Sequence, residues 1–229
     1  MAPIRLPVAP VFPDPRGADE DGLLAVGGDL STARLLAAYR RGIFPWYEEG
    51  LPILWWCPPE RAVFLPGEGR LPDRARRALR RHPFEIRFDT SFEAVIAGCQ
   101  RAPRKGQGGT WITEGMRAAY TRLHHEGHAH SVEAWRGGRL CGGLYGLALG
   151  GAFCGESMFS LEPYASRAAF QALCEQLWAS GFRLLDGQLP NPNLEQLGAQ
   201  VVDREAYLGL LKEALAAPMA WPVRPSAPE

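Results

Sequence analysis

HSVEAWRGGRLCGGLYGLALGGAFCGESMF, residues 130–159, decides the fold. Gly137-Gly138 and Gly150-Gly151 are paired glycines of the kind that close tight hairpins, because glycine reaches the positive φ such turns demand. The segment between them is small and apolar nearly throughout. The pattern predicts three strands joined by two turns. Working outward, YASRAAFQALCEQLWAS (164–180) has the length and apolar spacing of a long helix closed by Gly181. FRLLD (182–186) reads as a further strand and DREAYLGLLKEALA (203–216) as the last helix. Meander, helix, strand, helix is an α+β order.

Upstream, DRARRALRRHPFEIRF (73–88) predicts a short basic helix ending before Pro83, then a strand. SFEAVIAGCQR (91–101) and TEGMRAAYTRLHHEG (113–127) read as capped amphipathic helices around the loop APRKGQGG (102–109). The first ~60 residues have another texture. A proline-rich start precedes a helix capped by Ser31, with Leu35, Leu36 and Tyr39 at helical spacing and Gly42 at its end. An aromatic cluster of Phe44, Trp46, Tyr47, Trp55 and Trp56 follows. FLPGEGRLP (64–72) reads as a linker. We therefore expect a small N-terminal domain over 1–63 and a larger one over 64–229, with a loosely packed proline-rich tail from Ala217.

Bulk properties narrow the function classes. The 229 residues are 46% hydrophobic and 22% charged, as in an ordinary globular protein. The 25 basic and 25 acidic residues balance, so a polyanionic partner requires a local basic patch. Five scattered cysteines without a C-x-x-C pair point to free thiols in a reducing compartment. No secretory signal or membrane span is read, and a cytoplasmic location and a monomer are expected.

Glu156 is the first candidate for chemistry. It stands alone among small and apolar neighbours in GGAFCGESMFS (150–160), without a basic residue to offset a costly buried charge. Its partner is either backbone N–H groups, an arginine elsewhere, or a substrate cation. Asp186 and Gln188 end the FRLLDGQ strand, and their spacing of two places both on one face. Gln188 can accept from an amine while donating to Asp186, although two solvated polar groups would read the same way. Arg74, Arg76, Arg77, Arg80 and Arg81 form the outer arc of the basic helix, with Ala75 and Leu79 inward. No acid is interleaved after Asp73, so phosphate contact, helped by Arg101, Arg104 and Lys105, competes with a plain solvated face. His124, His125, His128 and His130 lack a completing ligand set, and no metal is expected. Phosphate-loop, dinucleotide and nucleophile-elbow motifs are absent.

The order from residue 130 onward resembles the acetyltransferase-like (GNAT) fold, in which ligands lie where neighbouring strands splay. Three blocks then carry a closer resemblance: GLLAVGGDLSTARLLAAYRRGIFPWY with PILWWCPPERAVF; GTWIT with AYTRLHHEGHAHSVEAWR and GGLYG; and FCGESMFS with AS, DGQ and LGA. Together they resemble the bacterial leucyl/phenylalanyl-tRNA–protein transferases over nearly the whole chain. The resemblance implies a small N-terminal domain fused to a GNAT-like one with a mixed, mostly antiparallel sheet flanked by helices. It implies transfer of leucine or phenylalanine, with methionine as a further donor, from aminoacyl-tRNA to proteins that begin with Arg or Lys. The product carries an N-terminal degradation signal.

Under this resemblance Glu156 pairs with the acceptor's cationic side chain. Leu144, Met158, Phe170, Leu173 and Leu185 line the aminoacyl pocket, although by pattern alone they are core positions. Trp46 stacks on the terminal adenosine of the tRNA, and the arginine helix meets its phosphates. Trp111, Tyr120 and Ser157 belong to the active site without assigned roles. Asp186 orients Gln188, which holds the attacking amine; the ester is already activated, so no cofactor is required. Four places depart from the family pattern. Gly187 and Asn193 stand where a cysteine and a histidine are usual, Leu173 where an aromatic is, and YASR (164–167) where relatives have NASK. Two alternatives are a small-molecule N-acetyltransferase, against which MFSLEPYAS lacks the cofactor-cradling glycine, and a non-enzymatic RNA-binding module.

Overall fold

The structure, a computed structural model, describes residues 4–102, 111–219 and 221. The N-terminal part builds a small sheet from β1 (Ile4–Arg5), β2 (Leu23–Val26), β3 (Phe44–Pro45) and β4 (Leu54–Trp56), in the order β1-β2-β4-β3. Helix α1 (Thr32–Tyr39) begins as expected, with the Ser31 hydroxyl accepting from the Arg34 N–H. Gly42, at φ 74°, reverses the chain after it. A Cβ there would sit 2.7 Å from the ring of Tyr207, so this turn demands glycine for both its conformation and its close contact.

The large sheet comprises β5 (Glu60–Phe64), β6 (Glu85–Phe88), β7 (Ala129–Arg136), β8 (Arg139–Leu149), β9 (Ala152–Ser160), β10 (Leu184–Gln188) and β11 (Gln200–Asp203). Its order is β11-β5-β10-β9-β8-β7-β6. The two glycine turns lie where the sequence puts them, and the meander β7–β9 is antiparallel. Helix α5 (Ala165–Ala179) then crosses over so that β10 lies parallel to β9, the one parallel pair among the described strands of this sheet. The α+β reading, with a mixed and mostly antiparallel sheet flanked by helices, therefore holds. The remaining helices are α2 (Asp73–Arg81), α3 (Phe92–Arg101), α4 (Glu114–His125), α6 (Pro192–Gln196) and α7 (Arg204–Leu215).

Both faces of the meander are covered, which is why its sequence is apolar almost throughout rather than alternating. Leu144 and Phe153 enter a core with Phe170 and Leu173 of α5. Tyr145, Leu147 and Cys154 enter another with α3, α4 and the N-terminal Trp55, Tyr39 and Leu35. The small sheet and the large one thus share a core. The expected boundary after residue 63 falls inside β5, which pairs with β10 and β11; the chain has already entered the large sheet at Glu60. The 64–72 segment is no free linker either, because Phe64 and Leu71 are buried.

Two further expectations need correction. Ser91 precedes α3 without a side-chain capping bond. Buried Glu133 of β7 instead fixes the turn that leads into the helix, accepting from the Thr90 hydroxyl (2.7 Å) and weakly from the N–H groups of Thr90 and Ser91. The tail does not pack loosely over its described part. Trp221 stacks on His130 and Phe153, and its indole N–H donates to Asp89 at 2.9 Å. Residues 222–229 of that tail, and Arg104 and Lys105, lie outside the described residues. No described helix is long and apolar enough to cross a membrane.

Candidate active site

The ladder between β9 and β10 ends where Asp186 faces Cys154, while β9 runs on to Ser160 against β8. The gap between the diverging strands opens a cavity of about 260 Å³. Leu144, Met158, Phe170, Leu173 and Leu185 all line it, together with Phe64 and Leu194. Glu156, Ser157, Trp111 and Asp186 border the same cavity, as do Gly187 and Asn193, two of the departures from the family pattern. A Cβ at position 187 would meet Leu194 at 2.9 Å, so the leucine occupies the room that glycine leaves.

Both polar centres sit at irregularities of the sheet. Tyr145 pairs with Ser157 and Gly146 with Gly155, which makes Glu156 the extra residue of a bulge. Asp186 pairs with Val63 and Gln188 with Ala62, which leaves Gly187 extra in a second bulge. Gln188 stands at φ 64°, a conformation costing an ordinary residue about 1–2 kcal/mol. Bulges re-aim side chains, and these two do so.

Glu156 has internal partners, but none of them is a cation. Its Oε1 accepts from the Tyr39 hydroxyl (2.7 Å) and from Gln188 Nε2 (2.7 Å). Tyr120, fully buried, donates to the Tyr39 hydroxyl, whose own proton is given to Glu156. Burial pushes the Glu156 carboxyl up to about 7, with the charge of Asp186 adding to it and the tyrosine and glutamine donors working against it. Tyr39 and Tyr120 are raised well above the ordinary phenol range, first by burial and then by Glu156.

The arginine that sequence reasoning allowed for Glu156 belongs instead to Asp186. Asp186 is fully buried, and Arg61 of β5, 1% exposed, grips it through Nε (3.0 Å) and Nη2 (2.9 Å). Tyr207 of α7 donates to Asp186 Oδ2 at 2.8 Å. The expected bond from the Gln188 side-chain amide to Asp186 is therefore replaced. That amide reaches Glu156, and Asp186 Oδ1 accepts from the Gln188 backbone N–H at 2.8 Å. The bulge breaks the two-residue alternation on which the expectation rested.

Other expected residues lie apart from the cavity. Trp46 is half-buried in the small sheet, its ring 5.9 Å from that of Trp56, whose indole N–H donates to the Trp46 carbonyl. On α2, Arg76 pairs with Asp73, whereas Arg74, Arg77, Arg80 and Arg81 are exposed and Ala75 is buried. His130 bonds Asp89 (2.8 Å) and His124 the Ala129 carbonyl (2.8 Å); no described His, Cys, Asp and Glu side chains group in threes as a metal needs. The five cysteines are free and buried. Sequence reasoning missed Tyr39, read as a core position, and Arg61 and Tyr207. The signal for Arg61 was weaker than that for Glu156, since it stands beside the exposed Glu60 at the head of β5 and only the apolar run after it hints at burial.

Residues 63–212 match the family model described as leucyl/phenylalanyl-tRNA protein transferase, and residues 28–59 match that of its N-terminal domain. The chain is 52% identical over 204 residues to a leucyl/phenylalanyl-tRNA–protein transferase of Shewanella baltica, covering 88% of this chain and 86% of the relative. A protein of the same name from Nitratidesulfovibrio vulgaris is 53% identical over 208 residues, covering 91% and 89%. Among solved structures, that of L-PGS from Bacillus licheniformis overlaps with a TM-score of 0.43 and 10% identity, over 85% of this chain and 71% of that one, a likeness that carries no argument.

Proposed function

The chain belongs to the leucyl/phenylalanyl-tRNA–protein transferase family, an aminoacyltransferase enzyme family, and from that premise we propose how its cleft works. The leucine or phenylalanine side chain of the donor enters the cavity lined by Leu144, Met158, Phe170, Leu173 and Leu185. The acceptor protein brings an N-terminal Arg or Lys, whose side-chain cation meets Glu156. Uncharged first residues leave the anion in its half-dry socket without a counter-ion, which is the basis of selection. The observation that carries this reading is the apolar cavity ending against a carboxylate held by neutral donors alone.

The chemical step is aminolysis of an ester. The acceptor's α-amino nitrogen attacks the ester carbonyl, the bond to the ribose 3′-oxygen breaks, and the amine proton ends on that oxygen. An α-amine with pKa about 7.7–8.0 is substantially neutral near pH 7.5, so alignment supplies much of the rate. Gln188 spends its N–H on Glu156, which leaves its carbonyl oxygen to accept from the amine. Trp46 stacks on the terminal adenosine, and Arg74, Arg76, Arg77, Arg80 and Arg81 face the tRNA phosphates. We place the enzyme in the cytosol, as a monomer, producing N-terminal degradation signals. Family membership displaces the acetyltransferase and RNA-module alternatives.

Labelled Leu-tRNA incubated with peptides that differ only in beginning with Arg, Lys or Ala tests this reading. Label on the first two and none on the third is expected. Equal labelling of all three overturns the role given to Glu156.

A further inference from the structure

Glu156 Oε1 receives its two side-chain donors from opposite directions. Tyr39 arrives from the last turn of α1, beside the small sheet, and Gln188 from the bulge of β10 in the large one. Their convergence on one atom requires something that fixes the end of α1 against the end of β10. Arg61 touches both. Its Nη1 donates to the Gly42 carbonyl (3.1 Å) in the turn that follows α1. Its Nε and Nη2 hold the two oxygens of Asp186, which in turn fixes the Gln188 backbone N–H. Nη2 also reaches the Tyr207 hydroxyl (3.1 Å), and the guanidinium lies against the rings of Phe44 (4.8 Å) and Tyr207 (4.2 Å).

We propose that Arg61 is a positioning residue for aminoacyl transfer, a buried clamp that holds the Tyr39 and Gln188 donors in register on Glu156. The proposal rests on the catalytic reading of Gln188 given above. A planar guanidinium suits the task because it can grip a carboxylate with two parallel bonds, reach a carbonyl with a third nitrogen and be packed by rings on its faces. Lysine keeps the charge but has neither the fork nor the plane. The clamp does not line the donor cavity, so it acts on alignment rather than on donor binding.

Arg61→Lys and Tyr207→Phe, each alone and combined with Gln188→Ala, test the clamp in steady-state transfer from Leu-tRNA to an Arg-initiated peptide. Arg61→Lys is expected to lower kcat at least about tenfold while KM for Leu-tRNA changes less than about twofold. Adding it to Gln188→Ala is expected to cost clearly less than the product of the two single losses, because the Gln188 arm of the clamp then has nothing left to align. Tyr207→Phe, a milder change that removes one hydroxyl, is expected to show the same non-additivity with a smaller loss. Thermal melts of each variant identify loss of folded protein. Multiplicative losses with Gln188→Ala, or wild-type kcat at a lowered melting temperature, overturn the clamp and leave Arg61 a structural ion pair. Absence of transfer by the wild-type enzyme, or a Gln188→Ala single variant at full rate, instead overturns the underlying reading of the site.

Discussion

Glu156 is held in a socket designed for a carboxylate whose charge is only half settled. Two neutral donors, Tyr39 and Gln188, stabilise the anion directly, with Tyr120 behind Tyr39, and burial opposes it strongly enough to bring the carboxyl to about 7. The sign of the resulting pH dependence follows by linkage. The unfolded carboxyl titrates near 4.5 and the folded one near 7, so the folded state binds the proton more tightly. Its contribution to stability is complete below about pH 4.5 and is lost as pH rises through 7. Glu156→Gln removes that loss, and thermal melts at pH 8 are expected to find the variant more stable than wild type, by up to about 3 kcal/mol. A variant less stable than wild type at pH 8 and equal to it at pH 5 contradicts this. Sequence alone raised the question of what Glu156 pairs with, since an isolated acid in an apolar strand is visible as text. Tyr39 as part of the answer was not visible, because a tyrosine at helical spacing with Leu35 and Leu36 reads as core, and it is core on every side but its hydroxyl.

At the level of elements, the meander, its two glycine turns, the Ser31 and Thr113 caps and the long crossover helix were all legible, since each follows from local periodicity and turn chemistry. The bulges were not. A bulge is a mismatch between two strands, and neither strand carries it alone. Both irregularities at the candidate site, at Glu156 and at Gly187-Gln188, are of this kind, which is why the spacing of Asp186 and Gln188 misled. Gly42 belongs to this scale too, as the turn after α1 that lies against Tyr207, Leu208 and Leu211 of α7. Gly42→Ala places a methyl group at φ 74° and 2.7 Å from the Tyr207 ring. Urea denaturation is expected to show a loss of about 2–4 kcal/mol, combining the left-handed conformation with overpacking. A loss below about 0.5 kcal/mol would mean the turn and α7 relax apart freely.

For the whole molecule, the site is a meeting of parts distant in sequence. The cavity wall comes from β8, β9, α5 and β10, one Glu156 donor from α1, and the buried counter-charge of Asp186 from β5. A boundary at residue 63 separates contributors that the fold unites, because composition changes there while the sheet does not. The shared core beneath Tyr39, Tyr120 and Tyr145 is what makes one rigid socket from these pieces. The measurement that bears most directly on the account is the KM for an Arg-initiated peptide between pH 6 and 8, in wild type and in Glu156→Gln. Taking the ratio of the two cancels the titration of the peptide's own amine. The account predicts that the wild-type KM falls about tenfold relative to the variant's as Glu156 ionises, and that the variant no longer prefers Arg over Ala. A pH-independent ratio, with the preference for Arg intact in Glu156→Gln, would contradict it.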